Sequence, residues 1–236
     1  MLSIIIPTLN EEKDLPTLLD SIKKQDFKDF EIIVSDAGSK DKTVDIARQN
    51  GCQVVKGGLL SYGRNRGADA AKGDMLLFLD ADVFLPEYFL KNAVEQFKKY
   101  NLGIAGFSIQ PLGGKMIDKI FFNFLNVFST LTQKILPYST AAILSRKDVH
   151  QKIGGFNEKI VFIEDYPYAK SASKVSKYKF FWNLPFYTSV RRFEKDGRFN
   201  VYFKYLLAQI YMLFKGPITS DIFKYEFGKY KDQTKK

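Results

Sequence analysis

Two carboxylates, Asp80 and Asp82, follow directly on the apolar run Met75–Leu79. Side chains at i and i+2 on an extended chain end point the same way. Just past the carboxyl end of a parallel strand they stand where open α/β sheets bind ligands. Hard divalent cations such as Mg²⁺ and Mn²⁺ take oxygen ligands and share them with substrate phosphates. The Asp80-Ala81-Asp82 step therefore suits a metal–diphosphate site, although a solvated turn can carry the same residues. Two further strand ends lead into polar loops. Ile6 is followed by Pro7-Thr8-Leu9-Asn10-Glu11-Glu12, and Val34 by Ser35-Asp36-Ala37-Gly38-Ser39-Lys40-Asp41. Asp36 can accept hydrogen bonds from a base, and Gly38 permits a tight backbone path. Each loop alone is an ordinary turn; parallel strands bring all of them to one edge.

The elements that must position these residues are legible in the first hundred positions. Ser3–Ile6 is an apolar strand ended by Pro7, too short for a signal-peptide core and without a basic flank. Leu15, Leu18, Leu19 and Ile22 follow at helical spacing, with Pro16 near the helix start. Glu31–Ser35 and Gln53–Val55 read as strands, and Asp41 can cap a helix bearing Val44, Ile46 and Ala47. Arg64–Ala71 reads as a small-residue helix, and Pro86 opens one running to about Lys99. Alternating strands and helices imply a mainly parallel, Rossmann-like sheet covered on both faces.

The later part is less regular. Gly103–Ile109 and Ser139–Leu144 read as strands. Between them Met116–Leu136 places apolar residues at helical spacing, and no charge interrupts residues 120–133. Tyr205–Phe214 is a second charge-free run, flanked by Lys204 and Lys215. Neither reaches the roughly 18–20 residues that span a bilayer. Their broad apolar faces, aromatic content and lysine edges suit helices lying in a lipid interface; core helices share that periodicity.

With 236 residues, 45% of them apolar, the chain can fill one α/β domain with a helical appendage. Up to Asp165 there are 21 Lys+Arg against 21 Asp+Glu; beyond it, 15 against 5. The net charge of +10 thus sits in the last third, which points to an anionic partner, a membrane surface first; Lys229–Lys236 reads as a solvated tail. The single cysteine, Cys52, precludes an intrachain disulfide and fits a reducing compartment. The sole histidine, His150, has no partner spaced for zinc and reads as a surface helix residue. No phosphate-binding P-loop motif is present, and the Gly63-Arg64-Asn65-Arg66-Gly67 stretch lacks the interleaved aromatics of a nucleic-acid platform. A nucleic-acid partner is not expected.

Taken in order, these segments resemble the inverting family 2 glycosyltransferases of the GT-A fold. The resemblance rests on SIIIPTLNEE, EIIVSDAGSKDKT, GRNRGADAAKGDMLLFLDAD and GGFNEKIVFIED, within residues 1 to about 166. It implies that Pro7, Thr8, Asn10 and Glu11 line a nucleotide pocket, that Asp36 contacts the base with Gly38 beside it, and that Arg64 approaches the diphosphate. Asp82, helped by Asp80, would hold Mg²⁺ or Mn²⁺. Gly154, Gly155 and Phe156 would form part of the acceptor and donor-sugar wall, with Glu164 next to Asp165, the catalytic base. Gly154-Gly155 equally fits a helix end, and Glu164-Asp165 a helix start. Processive relatives carry Gln-x-x-Arg-Trp where this chain has Ser189-Val190-Arg191-Arg192-Phe193-Glu194, so a single transfer is expected. Arg191 and Arg192 either reach an anionic group or form a surface pair.

The expected activity is transfer from a UDP- or GDP-sugar to a lipid-linked or glycan acceptor at the cytoplasmic membrane face. A GT-A domain would cover 1–198, with a nucleotide-binding half 1–110 and an acceptor half 111–198. An amphipathic helix and basic tail would fill 199–236. The alternatives are a sugar-phosphate nucleotidyltransferase, whose glycine- and arginine-rich first loop is replaced here by PTLNEE, and a non-catalytic membrane-surface binding protein.

Overall fold

The computed structural model describes residues 1–58, 60–220 and 222–223; the Lys229–Lys236 tail lies outside them. The first half follows the expected alternation: β1 (Leu2–Thr8), α1 (Leu15–Lys23), β2 (Phe30–Asp36), α2 (Thr43–Gln49), β3 (Gln53–Lys56), α3 (Leu60–Ala70) and β4 (Met75–Leu79). β1 pairs in parallel with β2 and β4, and β2 with β3. Alternate residues of β1 serve opposite faces. Leu2, Ile4 and Ile6 pack with Leu15, Leu18, Leu19 and Ile22 of α1, while Ile5 joins Ala68 and Ala71 on the other side. Each of those Leu and Ile side chains contributes about 1.5–3 kcal/mol by leaving water. α3 is rich in small residues because it lies close on β1: a Cβ at Gly67 would come within 2.3 Å of Ile5 Cγ2.

The second half breaks the parallel pattern. β5 (Val83–Phe84), α4 (Phe89–Lys99), β6 (Ile104–Leu112), α5 (Met116–Thr132), β7 (Ala142–Arg146), α6 (Lys147–Lys152), α7 (Asp165–Ser173) and β8 (Tyr178–Ser189) follow, then α8 (Arg191–Asp196) and α9 (Arg198–Lys215). The strand order is β3-β2-β1-β4-β7-β6-β8-β5. β7 is antiparallel to both β4 and β6, and β5 to β8, so the sheet is mixed. β7 starts at Ala142; the preceding Ser139–Ala141 is irregular and faces a cavity. β8 has no clear signal in the sequence. Its register on β6 jumps from Phe181 to Phe186, an irregularity that takes in Pro185, which has no N–H to give.

His150 is not on the surface. It is buried against Phe78, Phe156 and Tyr168, with Nδ1 3.0 Å from the Tyr168 hydroxyl. Burial lowers its pKa to about 4, so it is neutral at physiological pH.

α5 is apolar on two sides. It buries Phe122 together with Asp118, Asn126 and Ser129, packs Phe121 and Leu125 against the core, and turns Met116, Ile120, Phe124, Val127 and Leu131 outward. Asn126 explains part of this: its amide donates to Ile109 O at 2.8 Å and accepts from Ile109 N at 2.9 Å, tying the helix to β6. Asp118 accepts from the Tyr202 hydroxyl and from Arg198 Nε at 3.0 Å, tying α5 to α9.

Candidate active site

The ends of β1 and β4 and the start of α7 open on one cavity of about 280 Å³. Its lining includes Pro7, Thr8, Glu11, Asp80, Asp82, Glu164, Asp165, Arg191 and Arg192. β4 positions Asp80 and Asp82 because its five residues are all buried, leaving the chain no freedom until it emerges. Burial and the neighbouring Asp80 push the Asp82 carboxyl up to about 6, against the pull of Arg192. Asp165 sits in the first turn of α7. Burial raises its pKa well above the ordinary carboxylate range; Arg64 opposes that rise, and Glu164 and Asp80 add to it. A carboxylate raised in this way is a stronger base for a neutral nucleophile.

Arg64 joins these groups. It is 1% exposed on α3, donates to Asp80 Oδ1 at 2.7 Å and to Glu164 Oε1, and lies 3.2 Å from Asp165 Oδ1. Burial works against its charge, but the surrounding carboxylates more than compensate and keep it protonated. In this structure Arg64 therefore holds Asp80, Glu164 and Asp165 together. Phe156 packs behind it, 5.2 Å from the guanidinium carbon to the ring centre, and stacks on Tyr168 at 3.8 Å.

Gly154, Gly155 and Phe156 are thus placed outside the cavity lining, as supports. Gly154 and Gly155 have φ of +76° and +74°, and they close α6 while steering the chain back. Asn65 holds the turn, its Oδ1 accepting from Phe156 N at 2.8 Å and its Nδ2 donating to Phe156 O at 2.9 Å.

At the other end, Asp36 is buried and bound within its own loop. Its Oδ1 accepts from Gly38 N and Ser39 N at 2.9 Å; its Oδ2 accepts from Thr8 Oγ1 at 3.0 Å and Ser39 Oγ at 2.5 Å. Asn10, at φ 56°, and Gly38, at φ +93°, shape the two loops. Asn10 Oδ1 accepts from Lys40 N at 2.8 Å, so these residues brace the β1 and β2 loops against each other. Arg191 bridges from α8 to the β1 loop through Asp14 and Glu11, the latter at 3.6 Å. Arg192 hydrogen-bonds Tyr205 and faces Asp82 and Asp80. Both arginines therefore belong to the cavity and are not a surface pair.

Sequence reasoning missed Asp14, Tyr138 and Tyr205, and the wall formed by Phe121, Phe122 and Leu125. Asp14 and Tyr205 sit in segments already assigned to a helix start and an apolar run, and no local pattern marks Asp14 as the partner of Arg191 or Tyr205 as facing the cavity.

The donor set fits a divalent ion shared with a substrate. Among the described residues no cluster of three or more metal-binding side chains exists. Burial first, and then the charge of Asp80, disfavour an ionised Asp82, and a cation would relieve both. Mg²⁺ and Mn²⁺ sites of this kind draw their remaining ligands from phosphates and water.

A parallel first half, paired carboxylates at its central strand end and a mixed second half that returns a third carboxylate to the same cavity are the architecture of the GT-A fold. Comparison with known proteins makes this more specific. The chain belongs to Glycosyl transferase family 2, whose sequence model matches residues 3–154. It is 32% identical over 189 residues to an uncharacterised glycosyltransferase of Haemophilus influenzae, covering 71% of this chain and 60% of that one. It is 31% identical over 224 residues to the 4,4'-diaponeurosporenoate glycosyltransferase of Staphylococcus haemolyticus, covering 83% and 55%. It therefore spans roughly three-fifths or less of the length of these relatives. Its fold is similar to that of mannosyltransferase PcManGT from Pyrobaculum calidifontis, solved with GDP-Man and Mn²⁺: TM-score 0.73 at 20% identity, covering 90% of this chain and 63% of that one.

Proposed function

We propose that this glycosyltransferase moves a hexosyl unit from a UDP- or GDP-sugar to an acceptor oxygen by a single, inverting displacement. The observation that carries the reading is the convergence of Asp80, Asp82 and Asp165 on one cavity, joined by buried Arg64. The β1 and β2 loops, with Pro7, Thr8, Asn10, Glu11, Asp36 and Gly38, form the nucleotide side. An Mg²⁺ or Mn²⁺ ion held by Asp82 and Asp80 would neutralise charge on the departing diphosphate. Asp165 takes the proton of an acceptor hydroxyl as its oxygen attacks the anomeric carbon. The bond from that carbon to the diphosphate oxygen breaks, and the electron pair leaves with the nucleoside diphosphate. Attack opposite the leaving group inverts the centre. Arg64 and Glu164 hold Asp165 in place, and Arg192 faces the developing negative charge. The donor and metal in PcManGT support the donor class.

The acceptor is lipid-linked or a glycan of the cell envelope, and the enzyme works attached peripherally to the cytoplasmic membrane face. Residues 1–110 serve the donor and 111–198 the acceptor, with a helix and basic tail beyond. No helix among the described residues is long and apolar enough to cross a membrane. Support for surface attachment comes from the apolar residues that α5 and α9 expose.

The test is donor turnover with Mn²⁺ in purified Asp82→Ala and Asp165→Ala proteins, with folding checked by circular dichroism. Asp82→Ala abolishes transfer. Asp165→Ala abolishes it for a hydroxyl acceptor but is milder for an already ionised lipid phosphate. Full activity in both variants refutes the mechanism. Release of pyrophosphate from a nucleoside triphosphate and a sugar phosphate would instead make the protein a nucleotidyltransferase.

A further inference from the structure

The cavity is not polar throughout. Toward β6 and α5 its lining turns apolar, with Ile109, Phe121, Phe122 and Leu125, and Tyr205 of α9 completes the wall. The same two helices carry unpartnered apolar stripes on their outward sides. Ile120, Phe124 and Leu131 of α5 are 62%, 60% and 78% exposed; Phe199, Phe203 and Phe214 of α9 are 76%, 61% and 83% exposed. These stripes lie opposite the buried sides of their helices, as the 3.6-residue period requires. The Asn126–Ile109 and Asp118–Arg198 bonds fix the helices in that orientation, so the exposure is built into the fold.

Contiguous exposed apolar residues on this scale mark an interaction surface. Charge selects the occupant. Lys115, Lys119 and Lys134 accompany α5, Lys204 and Lys215 accompany α9, and the sequence beyond Asp165 has 15 basic against 5 acidic residues. A second copy of the chain would bring two cationic rims together. An anionic bilayer surface complements the cations and the apolar stripes at once.

We infer that the acceptor is a membrane-resident amphiphile whose chain runs from the α5–α9 surface along the Phe121–Leu125 wall and whose head reaches Asp165. This rests on the transfer reaction proposed above and names its acceptor class. Each helix presents one side to lipid and another to the cavity. A head can therefore meet the donor while most of its chain stays in the bilayer, without the exposure of that chain to water that full extraction would require.

The experiment measures binding to the full-length protein of farnesyl phosphate and farnesol, with methyl phosphate and maltose as chain-free controls. UDP and GDP binding with Mn²⁺ is measured in parallel. One farnesyl probe binds at least roughly tenfold more tightly than either control, because a buried chain adds favourable transfer energy for each methylene; which probe it is distinguishes an ionised from a hydroxyl head. Leu125→Gln, or Leu125→Ala should the first fail to fold, weakens that binding and leaves nucleotide binding unchanged. Phe124→Asp combined with Leu131→Asp strips the protein from phosphatidylcholine–phosphatidylglycerol vesicles while preserving probe binding. The inference is overturned if maltose or methyl phosphate binds as well as both farnesyl probes. It is also overturned if the double variant rather than the Leu125 variant loses the probe, since the chain would then only adsorb to the outer surface. Vesicle binding unchanged by the double variant overturns it too. Failure of nucleotide binding in the wild-type protein refutes the glycosyl-transfer reading instead, and is read independently.

Discussion

Replacing Asp82 with asparagine should stabilise the metal-free protein at alkaline pH while destroying its activity. The folded environment lifts the Asp82 pKa from 3.8 to about 6 through burial and the charge of Asp80. A carboxylate raised in the native state contributes stability that is fully present below its unfolded pKa and is lost as pH rises through the folded one. Above pH 6 the native state therefore carries the whole penalty of an ionised Asp82, roughly 3 kcal/mol at 1.36 kcal/mol per pH decade. Local relaxation and water entry reduce what can be recovered, so Asp82→Asn should gain about 1–3 kcal/mol at pH 8. For a chain of this size that raises Tm by roughly 3–9 °C. The gain should shrink through pH 6 to 4 and vanish below. Differential scanning fluorimetry in chelator from pH 4 to 8 follows it. Adding Mn²⁺ with UDP or GDP should then raise Tm of the wild-type protein and not of the variant, since only a ligand bound to the native state stabilises it. A variant less stable than wild type at pH 8 without metal, or a Tm difference independent of pH, refutes the account of a repelling carboxylate pair.

Arg64→Met leaves Asp80, Glu164 and Asp165 around an uncharged side chain and should cost about 3–5 kcal/mol in urea unfolding, because removing one partner strands buried charge. Arg64→Lys should recover only part of it, since an ammonium lacks the planar fork that meets several carboxylates. His150, with its pKa lowered to about 4, contributes stability that is full above pH 6.5 and is lost as pH falls through 4; the loss is roughly 3 kcal/mol. His150→Phe should flatten that acid limb in pH-dependent urea titrations, at a constant cost of about 1 kcal/mol for the hydrogen bond to Tyr168. Gly155→Ala combines a φ of +74° with a Cβ 2.6 Å from Asn65 Oδ1, and should destabilise by about 1–3 kcal/mol.

The first half was legible because its signals are local. An unbroken apolar run must be buried, and Asp80 and Asp82 must then emerge at its end; Leu15, Leu18, Leu19 and Ile22 announce the helix covering that sheet. The second half, and the side-chain contacts of the site, were less legible because they depend on partners distant in sequence. β8 contains Asn183 and Pro185, which break any alternation, and becomes a strand only by pairing with β6. Arg64 carries no mark in the sequence of its bonds to Asp80 and Glu164, the latter 100 positions away. His150 looked like an exposed polar residue because nothing nearby shows that Phe78, Phe156 and Tyr168 enclose it.

The limit is clearest in α5. Periodicity locates an apolar stripe on a helix but does not give its direction, since the same spacing serves a core and a lipid interface. The direction is set by the minority residues. Asn126 carries a donor and an acceptor that match the N–H and C=O of Ile109, and Asp118 meets Arg198 and Tyr202. Burying an unpaired amide or carboxylate costs several kcal/mol. Turning α5 to hide Ile120, Phe124 and Leu131 would break these bonds and leave the N–H and C=O of Ile109 without partners in the core. These bonds therefore set the direction of the helix, and a lipid surface would offset the cost of the exposed stripe.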